Sequence, residues 1–304
     1  MQFDVTILGS NGAVAAHNRY PSSQIVNHNG RHFMVDCGEG SQFRMNTFGV
    51  KWSKIDHIFI SHLHGDHYYG LIGLLTTFNL HWRENTLTIY CPQPLEEIIK
   101  LNFKHSKTEL RYKINFRHTQ AEKTEIIYED EQLTVETFPL AHRLPTTGFL
   151  FKEKKHPRKI IPSKIEEYQI PYSLINGIKH GEDFVLANEA VIKNSELTTE
   201  APSPRSYAYC SDTAFSLETA KFVSNVNLLY HEATFMEEHS TRALETYHST
   251  SMQAAEIAKL ANAGQLILGH FSARYDNLEP LAKESQTVFP NSLLAIEGNV
   301  FPVI

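Results

Sequence analysis

The sequence predicts an α/β protein of four layers, αββα, with helices outside, two β-rich halves inside and one inserted arm. Three observations carry this. Short apolar β-type runs alternate with helix-period segments along both halves of the 304-residue chain. The polar stretch 152–204 interrupts that alternation. A dense run of His and Asp closes an early apolar segment, where a sheet would present polar residues at its rim.

The first half opens with β-type runs at 3–8, 24–27 and 32–36, separated by Gly, Asn and Pro punctuation. Another apolar run, 55–61, ends at the His/Asp cluster. Residues 66–82 read as a helix, because Leu71, Leu74, Leu75 and Phe78 recur at i, i+3, i+4 and i+7. Further regular segments are expected at 87–91, 95–103 and 134–139.

The second half resumes the alternation. Strands are expected at 207–211, 226–231, 266–270 and 293–296, and helices at 251–261 and 278–288. No internal repeat is visible. Segment 152–204 is long for a connection inside a compact domain and rich in Lys, Glu, Pro and Asn, so it reads as a functional insertion. It opens on the densest basic run in the chain, Lys152 to Lys159, which is either a solvated hairpin or an arm that grips a polyanion.

Composition narrows the function. Apolar residues make up 41 %, enough for a sizeable core, and no apolar run is long enough to span a bilayer. The start, Met1-Gln2-Phe3-Asp4-Val5, has neither the basic nor the apolar region of a secretory signal, so a cytoplasmic protein is expected. Cys37, Cys91 and Cys210 are scattered and odd in number, which fits a reducing compartment. The net charge of -6 argues against coating nucleic acid by bulk positive charge, yet leaves room for a local basic patch or a metal-based phosphate site.

The chemistry concentrates in His62-Leu63-His64-Gly65-Asp66-His67. His62 and His64, two apart, can converge from a tight loop after a strand. Asp66 and His67, being adjacent, must diverge. One pair therefore suits one metal and the second pair another, and paired-metal hydrolases hold their ions ~3.5–4 Å apart. Imidazole nitrogens and carboxylates are zinc donors. Further donors are expected where other apolar runs end: His142, Asp212 and His270 each close one.

The run Ser61 to Gly70 resembles the signature of the metallo-β-lactamase superfamily, and the chain as a whole is similar to the ribonuclease Z family of tRNA 3′-processing endonucleases within it. The likeness is carried by Phe33 to Gln42, Gly70 to Leu75, His142-Arg143-Leu144-Pro145 with Gly148, Ser211-Asp212-Thr213, His231 to Phe235, His248-Ser249-Thr250 and Gly269 to Tyr275. It implies one metallo-β-lactamase-fold domain over 1–304, with the arm 152–204 as a tRNA-binding exosite. It also implies two zinc ions, one on His62, His64 and His142, the other on Asp66, His67 and His270, with Asp212 bridging. A hydroxide between the metals, formed because coordination lowers the pKa of water to about 7, would attack phosphorus. Asp66 would be the general base, and His248, oriented by Glu232, would protonate the leaving ribose oxygen. The competing reading of His248 is a surface histidine that precedes a helix capped by Ser249 or Thr250. The products would be a tRNA with a 3′-hydroxyl and a 5′-phosphorylated trailer.

Arg19 and the basic residues Lys152, Lys154, Lys155, Arg158 and Lys159 are the expected RNA contacts, positioning phosphates without reading bases. The family's arm in one subunit serves RNA on the other, so the resemblance implies a homodimer. Two segments depart from the family pattern. The first loop reads Asn18-Arg19 in reversed order and lacks a lysine, and Ile170 to Ile175 replaces a Gly-Pro element. A two-zinc hydrolase of the same fold acting on a small substrate, and a metal-free RNA-binding scaffold, are the competing readings. The arm and His248 weigh against the first, and the seven intact candidate ligands weigh against the second.

Overall fold

The structure, a computed structural model, describes residues 2–304. Strands β1 (Phe3–Gly9), β2 (Ser23–His28) and β3 (Arg31–Cys37) form an antiparallel meander. Helix α1 (Ser41–Thr47) leads to β4 (Ile55–Phe59), followed by α2 (Gly65–Tyr68), α3 (Leu71–Leu80), β5 (Leu87–Cys91), α4 (Pro94–Ser106) and β6 (Ile114–His118). Strands β3 to β6 run parallel. The helix expected over 66–82 is interrupted at Tyr69-Gly70, where the Gly70 amide donates to the Cys37 carbonyl at 3.0 Å. A Cβ at Gly70 would lie 2.1 Å from the Gly38 oxygen, so this approach of two backbones needs glycine.

Strands β7 (Glu125–Glu129), β8 (Leu133–Leu140) and β9 (Thr146–Glu153) start the second sheet as an antiparallel meander. The arm follows: β10 (Lys159–Ile160), α5 (Pro162–Glu167), α6 (Tyr172–Lys179), β11 (Phe184–Val185), β12 (Val191–Ile192), α7 (Asn194–Leu197) and β13 (Thr198–Thr199). The chain then gives β14 (Ser206–Cys210), α8 (Leu217–Phe222), β15 (Leu228–Glu232), α9 (Ser240–Thr246), α10 (Ser251–Leu260), β16 (Gln265–Gly269), α11 (Glu279–Gln286), β17 (Ser292–Leu294) and β18 (Val300–Pro302).

The first sheet has the order β18-β1-β2-β3-β4-β5-β6 and the second β17-β16-β15-β14-β9-β8-β7. Strand β9 was not anticipated: its eight residues follow directly on the His142 motif, and their near-continuous burial gives no alternation to read. The sheets meet through aromatic side chains, with Phe59 edge-on to Phe149 and to Phe151 at 5.5 Å each. On the outer face of the first sheet, Leu71, Leu74, Leu75 and Phe78 of α3 pack with Leu95 and Ile99 of α4 over Ile58, Ile60 and Ile89. The period of 3.6 that made α3 readable is therefore its buried stripe, and Leu75→Ala there would cost roughly 2–5 kcal/mol. Ala254, Ala255, Ile257 and Ala258 of α10 join the larger core on the other side. Two helix-flanked sheets agree with the predicted αββα layering.

The arm is more ordered than its polarity suggests. Ile170, Ile178, Phe184 and Leu197 are buried in a small core of their own. Its entry and exit are paired as β10 against β13, Lys159 opposite Thr199.

Candidate active site

Parallel strands bring the candidate residues to one rim. In the second sheet Cys210 pairs with His231 and Glu232 with Gly269, so Asp212, Glu232 and His270 emerge at the same carboxyl ends. In the first sheet Val35 pairs with Phe59, which sets Asp36 beside the loop carrying Ser61 and His62. All seven predicted ligands gather there, in two groups.

In the first group, His62 Nε2 lies 3.0 Å from His64 Nδ1, which lies 3.2 Å from His142 Nε2. Asp212 Oδ2 faces these three nitrogens at 3.4, 3.9 and 3.7 Å respectively. In the second, Asp66 Oδ2 is 3.5 Å from His67 Nε2 and 3.3 Å from His270 Nε2. Asp212 Oδ1 is 3.2 and 3.1 Å from the same two nitrogens. One carboxylate thus turns one oxygen to each group. A tetrahedron with arms of about 2.0–2.1 Å has edges of roughly 3.3 Å, and the spacings of these donors run from 3.0 to 3.9 Å around that value.

The hydrogen bonds around the groups aim the free nitrogens inward. His67 Nδ1 lies 2.7 Å from Asp36 Oδ2, which accepts its proton, and this leaves the fully buried Nε2 without a hydrogen-bond partner. A shielded nitrogen lone pair facing two carboxylate oxygens is what a metal cation satisfies, so the residues fit a metal. His142 Nδ1 donates to the Tyr247 carbonyl at 2.9 Å, and His270 Nδ1 is 2.9 Å from Thr234 Oγ1. Burial works against charge on His67, but Asp212, Asp66 and Asp36 outweigh it and raise its pKa well above the usual imidazole range. Asp66 is correspondingly held well below the usual carboxylate range: burial opposes ionisation, and His67 and His270 overcome it.

His248 sits between Tyr247, the left-handed cap of α9, and Thr250, which caps α10 in a reciprocal capping box with Gln253. The cap expected there is real, and it does not exclude the other role. His248 is 15 % exposed, and its Nδ1 donates to Glu232 Oε1 at 2.7 Å. Glu232 is fully buried and also accepts from the Thr213 and Thr234 amides. Burial pushes the His248 imidazole down, but Glu232, with help from Asp212 and Asp66, lifts it to about 9. Cations on those aspartates would bring it back down.

Ala13, Val14, His64, Asp66, Tyr69 and His248 line a cavity of ≈ 440 Å³ over both groups. The first loop forms one wall, and the Ala13 amide donates to Asp66 Oδ2 at 2.7 Å. Gly12 lies against His270, where a Cβ would meet Cε1 at 2.6 Å.

The predicted RNA contacts are not gathered at this rim. Arg19 is half-buried and directs its guanidinium to Asn11 Oδ1 and the Asp276 and Tyr275 carbonyls, fastening the first loop to the segment after His270. Lys154 pairs with Glu129, and Arg158 with Glu200 and Thr198. Lys152, Lys155 and Lys159 are exposed along the base of the arm. Sequence reasoning assigned no role to Asp36 or Thr234. Both lay inside motifs already singled out, but their partners are distant in sequence.

Two facing sheets with paired donor groups at their carboxyl ends define a hydrolase of metallo-β-lactamase fold. The chain is 46 % identical to ribonuclease Z of Bacteroides fragilis, over 98 % of each chain, and 44 % identical to ribonuclease Z of Phocaeicola vulgatus, over 97 % and 96 %. The chain belongs to the ribonuclease Z family, a family of endoribonucleases. Its fold matches the human short-form tRNase Z with a TM-score of 0.71 at 26 % identity, over 99 % of both chains. The metallo-β-lactamase-fold protein YhfI of Bacillus subtilis shares the fold with a TM-score of 0.70 at 20 % identity, over 99 % and 100 %. A family model described as anti-Pycsar protein Apyc1 matches residues 3–158.

Proposed function

We propose that this chain is a zinc-dependent endoribonuclease that removes the 3′ trailer from tRNA precursors. One observation carries the reading: two donor groups sharing Asp212 open onto the same cavity as a histidine held by a buried carboxylate, His248 on Glu232. The tRNase Z likeness supports the substrate, and the imidazole and carboxylate donors suit zinc.

In this reading His62, His64 and His142 would hold one ion and Asp66, His67 and His270 the other, with Asp212 shared between the two groups. Ions bound there would supply Lewis acidity and lower the pKa of water. Asp66 would serve as general base toward the water that attacks phosphorus. His248 donates a proton to the 3′-oxygen as the P–O3′ bond breaks, and Glu232 positions its ring. The phosphate stays on the trailer's 5′ end, and the tRNA keeps a 3′-hydroxyl.

The whole of 1–304 acts as one domain, with the arm 152–204 as an exosite for tRNA. Lys152, Lys155 and Lys159 offer it phosphate contacts, while Arg19, Lys154 and Arg158 set the surfaces on which it rests. The enzyme works as a homodimer in the cytoplasm, one protomer's arm serving RNA on the other.

The test is cleavage of a 3′-extended precursor tRNA, with metal content measured on the same preparation. Two zinc ions per chain and a single cut are expected. His248→Ala should lower kcat by roughly 10²–10⁴-fold while keeping its metals. Intact precursor alongside turnover of bis(p-nitrophenyl) phosphate would move the enzyme to small phosphodiesters.

A further inference from the structure

The first loop, residues 10–22, sets Gly12 against His270 and the Ala13 amide on Asp66, yet both of its feet are held by one residue near the other end of the chain. Glu297 Oε1 accepts from the Ser10 amide at 3.2 Å and from the Tyr20 amide at 2.7 Å. We infer that Glu297 is a positioning residue for the Asp66–His67–His270 group and acts on it through the first loop; this rests on the two-metal reading proposed above.

The carboxylate has a fixed mount. It sits in the connection between β17 and β18, which crosses from the second sheet to the first. Before it, the Ala295 amide donates to the Leu268 carbonyl of β16 at 2.8 Å; after it, the Gly298 amide donates to the Ile7 carbonyl of β1 at 2.8 Å. Strand β16 leads into His270 and β1 leads into the loop, so the clamp is tied to both parts that must meet. The Arg44 guanidinium donates to Glu297 Oε2 at 2.5 Å and lies over the Tyr20 ring at 4.9 Å, which secures the exit foot. The Glu297 side chain is 5 % exposed, so water does not compete for these bonds. Burial outweighs Tyr20 and Arg44 and pushes its carboxyl above the usual carboxylate range, so ionisation here costs folding free energy. Stability does not explain a charge at this place; the two amides do.

From the clamped feet the loop reaches the site through its backbone. The Ser10 carbonyl accepts from the Phe271 amide, and the Gly12 amide donates to the Phe271 carbonyl, each at 2.9 Å. These two bonds lay the loop along the neighbour of His270, and the Ala13 amide adds its 2.7 Å bond to Asp66 Oδ2. Among the described residues, no hydrogen bond joins the loop to His62, His64 or His142. A slack loop therefore disturbs one donor group and spares the other.

The experiment titrates the metal-free protein with zinc against a chromogenic chelator. It compares the wild type, Glu297→Ala, Glu297→Gln, Gly12→Ala and the Gly12→Ala, Glu297→Ala double variant. The wild type should bind two ions per chain. Glu297→Ala should weaken one ion about tenfold and leave the other unchanged. Glu297→Gln keeps the shape and one acceptor oxygen, and should weaken the same ion only about threefold, because a neutral acceptor makes bonds about half as strong. It decides the matter if the alanine variant does not fold. In the double variant, Glu297→Ala should add less than it does alone, because both changes act through one loop. Equal weakening of both ions, unchanged affinities, or full additivity with Gly12→Ala each overturns the inference while two-metal binding stands. A wild-type protein that holds fewer than two ions overturns the two-metal reading and the inference with it.

Discussion

Asp36 accepts the Nδ1 proton of His67 at 2.7 Å although 31 residues separate them. The same carboxylate takes hydrogen bonds from Tyr209 at 2.7 Å and from the Ser61 amide and hydroxyl at 2.8 Å each. It is completely buried and sits in a left-handed backbone conformation with φ of 54°. Four donors and a strained backbone serve one purpose, which is to fix the ring that turns Nε2 toward Asp212. Asp36→Asn should therefore weaken metal binding by about 10–100-fold, read by competition with a chromogenic chelator. Unchanged affinity would show that His67 is oriented by packing alone.

Gly12 tests the first loop. Its Cα lies so close to the His270 ring that any side chain must displace it. Gly12→Ala should lower occupancy of the Asp66–His67–His270 group and leave the His62–His64–His142 group filled. Metal analysis after dialysis would show about half the wild-type content. Full occupancy with normal cleavage would mean that the loop yields freely, against the bonds of Arg19.

Acid should destabilise the protein through Glu153. This carboxylate, 3 % exposed at the end of β9, accepts from Arg205 and from His28. Burial opposes its ionisation, but Arg205 outweighs it and brings the pKa down to about 2, from 4.5. A depressed folded pKa means that the stabilisation is whole above the unfolded value of 4.5 and drains away as pH falls toward 2. The total is on the order of 3 kcal/mol. His57, pushed down to about 4 by burial, adds a loss of the same sign between 6.5 and 4. Urea midpoints between pH 7 and pH 3 should fall steeply in the wild type and less steeply in Glu153→Gln. Parallel pH slopes would remove Glu153 from this account.

The arm can be excised cleanly, because Lys159 and Thr199 are paired neighbours and the segment between them has its own core. Joining 158 to 200 by a short linker should raise KM for precursor tRNA well above its effect on bis(p-nitrophenyl) phosphate. Equal losses on both substrates would deny the arm a binding role.

The clustering of the candidate ligands was legible because four of them lie within six residues and the others end apolar runs, a signal that survives without any tertiary information. The αββα layering was legible through the periodicities of α3 and the short strands. What stayed hidden depends on contacts across the fold. Nothing local in Val35-Asp36-Cys37 says that the aspartate meets His67, and nothing in Asn18-Arg19 says that the guanidinium turns inward to residues 275 and 276. Strand β9 was obscured by its burial on both faces. The break at Tyr69-Gly70 is imposed by the Gly38 backbone, which a helix-period pattern cannot register.

Each donor group draws side chains from both sheets: His62 and His64 with His142 and Asp212 in one, Asp66 and His67 with His270 and Asp212 in the other. A cation bound there is a rivet through the seam of the sandwich. At a free concentration 100 times its dissociation constant, each such ion adds about 2.7 kcal/mol to resistance against unfolding. A cell short of metal would therefore hold less of this enzyme as well as a less active one, because the unriveted form opens more often to proteases.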